Sequence, residues 1–156
     1  MNHISADIII IGGGAAGLMA AAGAARTLSS RKDDARIIVL EKMPRPGRKI
    51  MITGKGRCNF TNLKNWNEFS EHVHPKPGFL KPSFYNLTSE KMIDYLADVG
   101  MESVVERGDR AFPASHLASD VVDALVRSAE YAGAEVFCGK EVSNINRKDE
   151  IYIVEC

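Results

Sequence analysis

The residues best suited to chemistry begin at Gly12-Gly13-Gly14-Ala15-Ala16-Gly17, a GxGxxG pattern set between four isoleucines and an alanine-rich run. Each glycine of such a pattern answers a separate geometric demand. Gly12 permits a tight turn, Gly14 removes a Cβ that would strike a phosphate, and Gly17 lets the following helix pack close to the strand. The first-turn N–H groups of that helix lack intrahelical partners and, with the helix dipole, favour a diphosphate. Glu41 ends the next apolar run, where a carboxylate can accept hydrogen bonds from a ribose diol. Its spacing slightly exceeds the usual ~20 residues, and the polar stretch Ser29 to Asp34 absorbs the excess. By itself this unit does not choose between NAD and FAD.

Two further clusters follow. Gly47-Arg48-Lys49 places two cations within reach of the same phosphates. Thr53-Gly54-Lys55-Gly56-Arg57-Cys58-Asn59 again combines close backbone approach with donors, but it lacks the Walker spacing of a phosphate loop. Cys58, Cys138 and Cys156 contain no CxxC pair, which argues against a disulfide framework, a zinc site or a dithiol redox centre; Cys58 reads as a small buried residue. His72 and His74 have no third metal-ligating partner nearby in sequence, so no metal site is expected.

The elements that must position these residues are a strand at Ile8 to Ile11, expected to be buried on both faces of a parallel sheet, a helix from Gly14 to about Leu28, and a second strand from Arg36 to Glu41. The polar run Arg31 to Asp34 is expected to be a solvated loop. Glycine and basic residues dominate up to Asn62, and residues 63–87 carry Trp66, Phe69, Phe79, Phe84 and Tyr85 among prolines and asparagines, which predicts a packed insertion. A helix is expected over Ser89 to Val99 with Gly100 as its left-handed cap, then a short strand over Glu102 to Glu106 with a turn at Gly108-Asp109. Ser119 or Asp120 is expected to cap a helix that runs through Ala132 and closes at Gly133. Ala134 to Cys138, Glu141 to Ile145 and Glu150 to Glu155 read as three strands of an antiparallel meander.

At 156 residues the chain can bury a core of its own, and 20 Lys plus Arg against 20 Asp plus Glu leave no net field toward nucleic acid or an anionic membrane. Neither is expected as a partner. The apolar run at Ile8 is too short and too soon broken for a signal peptide or a membrane span, so a cytoplasmic location is expected.

The run from Ile9 to Asn62, with GGGAAG, Glu41, GRKI at 47–50, TGKGRCN at 53–59 and Thr61-Asn62, resembles the BaiN/YhiN-like flavoproteins. So does the later stretch from Glu106 to Ser115, ERGDRAFPAS, continuing through Ala118 to Val122. The resemblance implies an α/β, Rossmann-like FAD/NAD(P)-binding domain with a parallel sheet plus an antiparallel meander. It divides the chain into a βαβ unit with flavin-facing loops (1–62), an insertion (63–117) and a closing helix and meander (118–156). It implies that Gly14, Ala15 and Ala16 line the FAD pyrophosphate, that Glu41 and Lys42 meet the adenosine ribose, and that Arg48 and Lys49 lie along the diphosphate. Val142, in a strand after Gly139, would hold adenine through its backbone, and Gly54, Gly56, Arg57, Cys58 and Asn59 would approach the isoalloxazine. Arg57 would then stabilise charge on the reduced ring and Asn59 hydrogen-bond its pyrimidine edge, against the plainer reading of a structural arginine and a turn-forming asparagine. Pro82 departs from a segment that the family makes helical.

Family members are much longer, so this chain is expected to be the FAD-binding portion of a larger enzyme whose remaining polypeptide it needs. The implied reaction passes a hydride from NAD(P)H through FAD to a small organic acceptor, such as the activated carbon–carbon double bond of the bile-acid branch. No catalytic acid or base is identified. The alternatives are a NAD-binding module without flavin and a truncated, cofactor-free structural product.

Overall fold

The computed structural model describes residues 3–32 and 34–156; Asp33 of the polar run 31–34 lies outside them. The elements in chain order are β1 (Ile8–Ile11), α1 (Ala15–Ser30), β2 (Ile37–Glu41), α2 (Arg48–Met51), a 3-10 turn (Thr53–Gly56), β3 (Thr61–Asn62) and α3 (Trp66–Ser70). A second 3-10 turn (Pro77–Leu80), α4 (Lys81–Asn86), α5 (Ser89–Ala97), β4 (Ser103–Glu106), β5 (Arg110–Pro113), α6 (Ala118–Tyr131), β6 (Ala134–Cys138), β7 (Asn144–Lys148) and β8 (Ile151–Glu155) complete them. The chain divides into two compact units, Met1–Ile50 with Leu125–Cys156, and Met51–Ala124.

The first unit is a Rossmann-type α/β layer. Its sheet runs β1-β2-β6, all parallel, with Ile9 opposite Ile38 and Val39 opposite Val136. β2 is central, and Ile37 to Leu40 are buried, as a β-branched run between two neighbours requires. α1 buries Leu18, Ala21, Ala22 and Ala25 on one stripe, the small residues permitting close packing on the strands. β1 differs from expectation. Among the described residues it is an outer strand, Ile8 to Ile10 are half-buried and Ile11 is 50% exposed.

The expected meander also changes. β6 pairs parallel to β2 as the third strand of the Rossmann sheet, and only β7 and β8 form an antiparallel hairpin. The strand expected at Glu141 to Ile145 forms three residues later, and Val142 lies in the extended connection between β6 and β7, outside any strand. Ile145, Ile151 and Tyr152 of the hairpin line a cleft of about 620 Å3 with Ile9 and Ile11 of β1.

The second unit is built on an antiparallel sheet of order β3-β5-β4. Its central strand, β5, escaped the sequence reading because Arg-Ala-Phe-Pro has neither alternation nor length. Pairing on both edges nevertheless buries Ala111, Phe112 and Pro113. The β4–β5 connection turns through Gly108 and Asp109, both at positive φ. α3 begins with a capping box between Asn65 and Glu68. Trp66, Phe69, Phe84 and Tyr85 stack on one another with centroids 5.1 to 6.1 Å apart, yet no residue of α3, α4 or the turn between them is fully buried. The insertion is therefore a ring cluster at the surface. Pro82 is compatible with helix α4 because it stands in the first turn, where its missing N–H removes no helical bond.

α5 is capped by Thr88 and followed by Gly100 at φ +83. α6 starts at Ala118, earlier than expected. Ser119 and Asp120 thus lie inside its first turn, where the Ser119 hydroxyl donates to Asp120 Oδ1, and neither is the N-cap. Gly133, at φ +104, follows its end.

Candidate functional site

In the first unit the glycine loop is pinned at three points. The Gly12 N–H donates to Leu40 O at 2.8 Å, the Gly13 N–H to Glu41 Oε2 at 2.7 Å, and the Gly47 N–H to Gly13 O at 2.9 Å. Gly12 adopts φ +100, which excludes most side chains. At Gly17 a Cβ would stand 1.9 Å from Gly12 O, so the close helix–strand approach predicted from sequence is enforced by backbone contact. Gly13, to which the sequence reading gave no role, is the buried member: a Cβ there would press on Glu41 and Pro46 at 3.1 Å. The only sequence signal for it was its place inside the motif.

Gly14 has a different environment. It is extended at φ −81, and a Cβ on it would meet nothing within 4 Å. Ala15 and Ala16 are exposed, no side chain caps α1, and no acid stands in its first turn. The first-turn donors therefore open onto free space with no internal acceptor competing for them, which is the donor set that a diphosphate requires. The residues present fit such a group.

Glu41 is engaged on both oxygens, Oε2 with the Gly13 N–H and Oε1 with the Met43 N–H at 2.8 Å. Each carboxylate oxygen keeps a second lone pair for a diol. The chain leaving β6 passes the same place, where the Lys140 N–H donates to Glu41 O at 2.9 Å and the Gly139 N–H to Met43 O at 3.1 Å. Val142 follows two residues on, half-buried. Lys42 and Glu141 face each other at 3.9 Å on the surface. Arg48 donates to Met43 Sδ at 3.7 Å, and Lys49 is exposed. Gly12, Gly14, Glu41, Lys42, Arg48 and the approach to Val142 thus share one end of the parallel sheet. Burial first, then the charge of Glu41, push the Cys138 thiol up from its ordinary value.

In the second unit the segment 53–59 is wound through four positive-φ residues, Gly54, Lys55, Gly56 and Cys58. It is fastened to β5. Arg57 forms a two-pronged ion pair with Glu106 at 2.9 and 3.3 Å and lies over the Phe112 ring, 4.4 Å from its centroid. The Asn59 amide, oriented to satisfy its neighbours, donates to Thr61 O and Ala111 O. Cys58 is buried, and its burial pushes the thiol up despite an opposing hydrogen bond from Thr53. The two motifs that suggested a family, TGKGRCN and ERGDRAFPAS, are therefore one packed assembly. Glu106 was not singled out from sequence, although it stands first in the second motif. A separate cavity of about 410 Å3 in this unit is lined by Phe69, Phe84, Leu87 and Met92 with Thr61 and Thr88, and no charged residue enters it.

Among the described residues no three His, Cys, Asp or Glu side chains gather as a metal would require, and no helix is long and apolar enough to cross a membrane.

Residues 6–156 match the family model described as the HI0933-like protein Rossmann domain. Over 115 residues the chain is 32% identical to the ribosomal RNA dihydrouridine synthase of Escherichia coli, a match spanning 74% of this chain and 28% of that protein. Over 121 residues it is 28% identical to the 3-dehydro-bile acid delta(4,6)-reductase of Clostridium scindens, spanning 78% of this chain and 29% of the relative. The matched region is thus less than a third of either curated relative. The crystal structure of Thermovibrio ammonificans THI4 superposes with a TM-score of 0.57 at 17% identity, covering 97% of this chain and 45% of that one, a likeness of fold.

Proposed function

Since the chain belongs to the HI0933-like Rossmann-domain family, we propose that it is the FAD-binding portion of a flavin-dependent oxidoreductase. The observation that carries this reading is the glycine loop: Gly14 and the uncapped first turn of α1 open onto free space beside a carboxylate, Glu41, that already organises the loop. Gly12, Gly14, Ala15, Ala16 and Gly17 hold the pyrophosphate, with Arg48 and Lys49 as supplementary cations. Glu41 and Lys42 take the ribose, and the backbone at Val142 takes adenine. Gly54, Gly56, Arg57, Cys58 and Asn59 form the flavin-facing segment.

When bound, FAD supplies the hydride chemistry, and NAD(P)H is the proposed donor. The acceptor is a small organic molecule with an activated carbon–carbon double bond. The relatives named as a ribosomal RNA dihydrouridine synthase and a 3-dehydro-bile acid delta(4,6)-reductase support this reading. The uncharged, ring-lined cavity of the second unit suits a neutral acceptor.

RNA as the carrier of the acceptor is a second reading, favoured by a specific surface. Residues 72–87 contain no acid, carry Lys76 and Lys81, and leave Phe79 84% and Tyr85 54% exposed, a combination of cations and stacking faces. Filter binding of a ribosomal RNA fragment that weakens with added salt supports it, and salt-independent or absent binding removes it.

The main reading is tested by incubating the purified chain with FAD, removing the excess, and recording the visible spectrum and the mass of the heat-released cofactor. Retained FAD is expected. A colourless chain that retains NAD favours the nicotinamide alternative, and one that retains neither, while the full-length parent shows a flavin spectrum, favours the cofactor-free structural product.

A further inference from the structure

The cavity of about 410 Å3 in the second unit is formed wholly within residues 60–92, and no charged side chain lines it. Phe60, Phe69 and Phe84 supply ring surfaces, and Met92 adds a thioether, a polarisable group that packs well on aromatic rings. Phe69 and Phe84 belong to the cluster around Trp66, with their centroids 5.1 Å apart, and all three of these rings remain half-buried. The rest of the lining is polar without being ionic. The Asn62 amide donates one N–H to Gly108 O at 2.8 Å and accepts from the Lys64 N–H at 2.9 Å, which leaves a second N–H; the Ser89 hydroxyl donates to Asn62 O and keeps its lone pairs. We propose that this cavity is a binding site for a planar, uncharged aromatic molecule of fused rings that carries a carbonyl on its edge. Binding needs the second unit alone; the use of the molecule as the neutral acceptor rests on the reading above.

The class of ligand follows from what the lining offers and what it withholds. Rings that serve the fold alone are covered by it, whereas α3 and α4 bury no residue fully, so the rings beside Trp66 keep surface for another molecule to cover. A carboxylate, phosphate or ammonium entering here would lose its water against phenylalanine and meet no counter-charge. A planar ring has no internal freedom to lose and gains the ring–ring contacts with Phe69 and Phe84 that a saturated ring or a flexible chain would forgo. A carbonyl answers the second Asn62 N–H without bringing charge. The polar residues are held in place by the elements that carry them: Asn62 pairs with Arg110 in the sheet, and Thr88 caps α5 by accepting from the Lys91 N–H at 3.3 Å, which sets Ser89 in the first turn. The volume falls within the range of small-molecule pockets, about 300–1,000 Å3.

The test uses the chain without added cofactor and coumarin as the probe, with affinity read by isothermal titration calorimetry. Trp66, the only tryptophan, stands 5.3 Å from Phe84 and reports occupancy through quenching of its emission. Coumarin is expected to bind at one site and to quench Trp66, and coumarin-3-carboxylate, the same ring system with a charge, to bind about tenfold more weakly or worse. Met92→Lys, which brings a charge into the lining, and Phe84→Leu, which removes a ring but keeps an apolar side chain, are each expected to weaken coumarin by about fivefold or more. Tyr131→Ala, in the first unit and 78% exposed, is expected to leave the affinity unchanged. Coumarin binding that is absent or does not saturate, equal affinity for the carboxylate, or affinities that ignore both cavity substitutions overturn the proposal. If Met92→Lys fails to fold, Phe84→Leu decides, since α4 contains no buried residue. A chain that binds coumarin but retains no FAD counts against the cofactor reading and leaves this site standing, whereas one that retains FAD and ignores coumarin removes the site alone.

Discussion

The Gly13 amide donates to Glu41 Oε2 at 2.7 Å, so the acid at the end of β2 holds the glycine loop in shape before any ligand is considered. Glutamine at position 41 keeps one acceptor and turns the other into a donor, which leaves either the Gly13 or the Met43 N–H without its partner. Glu41→Gln is expected to cost about 1–3 kcal/mol, read by urea denaturation, and to weaken FAD uptake at the same time. Unchanged stability would show that the carboxylate does not organise the loop.

Gly17 and Gly14 separate fold from ligand. Gly17→Ala forces a Cβ to within 1.9 Å of Gly12 O, and a loss of more than about 2 kcal/mol is expected, because backbone must move. Gly14→Ala meets nothing and sits at an ordinary φ. Its stability is expected to stay within about 1 kcal/mol of the parent while FAD retention falls. Equal FAD retention in the parent and Gly14→Ala chains would contradict the phosphate role.

Phe112 carries the second unit. Its ring is 2% exposed and supports Arg57 and Arg110. Phe112→Ala is expected to cost about 3–5 kcal/mol. Backbone hydrogen exchange in β4 and β5 is the appropriate measurement, and retained protection there would refute the assignment.

Cys58 has its thiol pushed up, chiefly by burial. A group whose folded value is raised contributes stability that is complete below the ordinary thiol range and is lost as pH climbs through the raised value. Cys58 should therefore react with iodoacetamide later than exposed Cys156 at any pH near neutrality, as peptide mass mapping can read. Faster labelling of Cys58 would overturn this.

Much of the first unit was legible because its signals are local. Four isoleucines, three spaced glycines and a strand-end acid specify β1, α1 and β2 through steric rules that act over a few residues. Partner choice is not local. Nothing in Ala134 to Cys138 distinguishes a strand that pairs parallel with β2 from the first strand of a meander, and nothing in Arg110 to Pro113 marks the centre of a sheet. Val142 is expected in a strand over Glu141 to Ile145, but the chain just before it, at Gly139 and Lys140, is held by Met43 and Glu41 carbonyls at a distance in sequence. Arg57 stands out in the sequence, whereas Glu106, the residue that pairs with it, becomes visible only when β5 carries β4 alongside the loop.

Segment 53–59 has one further consequence. Lys55 and Cys58 occupy left-handed backbone states that residues with a side chain visit rarely, Gly54 and Gly56 take positive φ beside them, and Arg57 and Asn59 tie the segment to β4 and β5. The loop is thus held in one conformation, so that a ligand bound where the proposed function places it would cost little ordering entropy. Variants that relax this backbone, such as an inserted glycine, should slow capture and hasten release together, because the recognition surface would have to be assembled anew at each encounter.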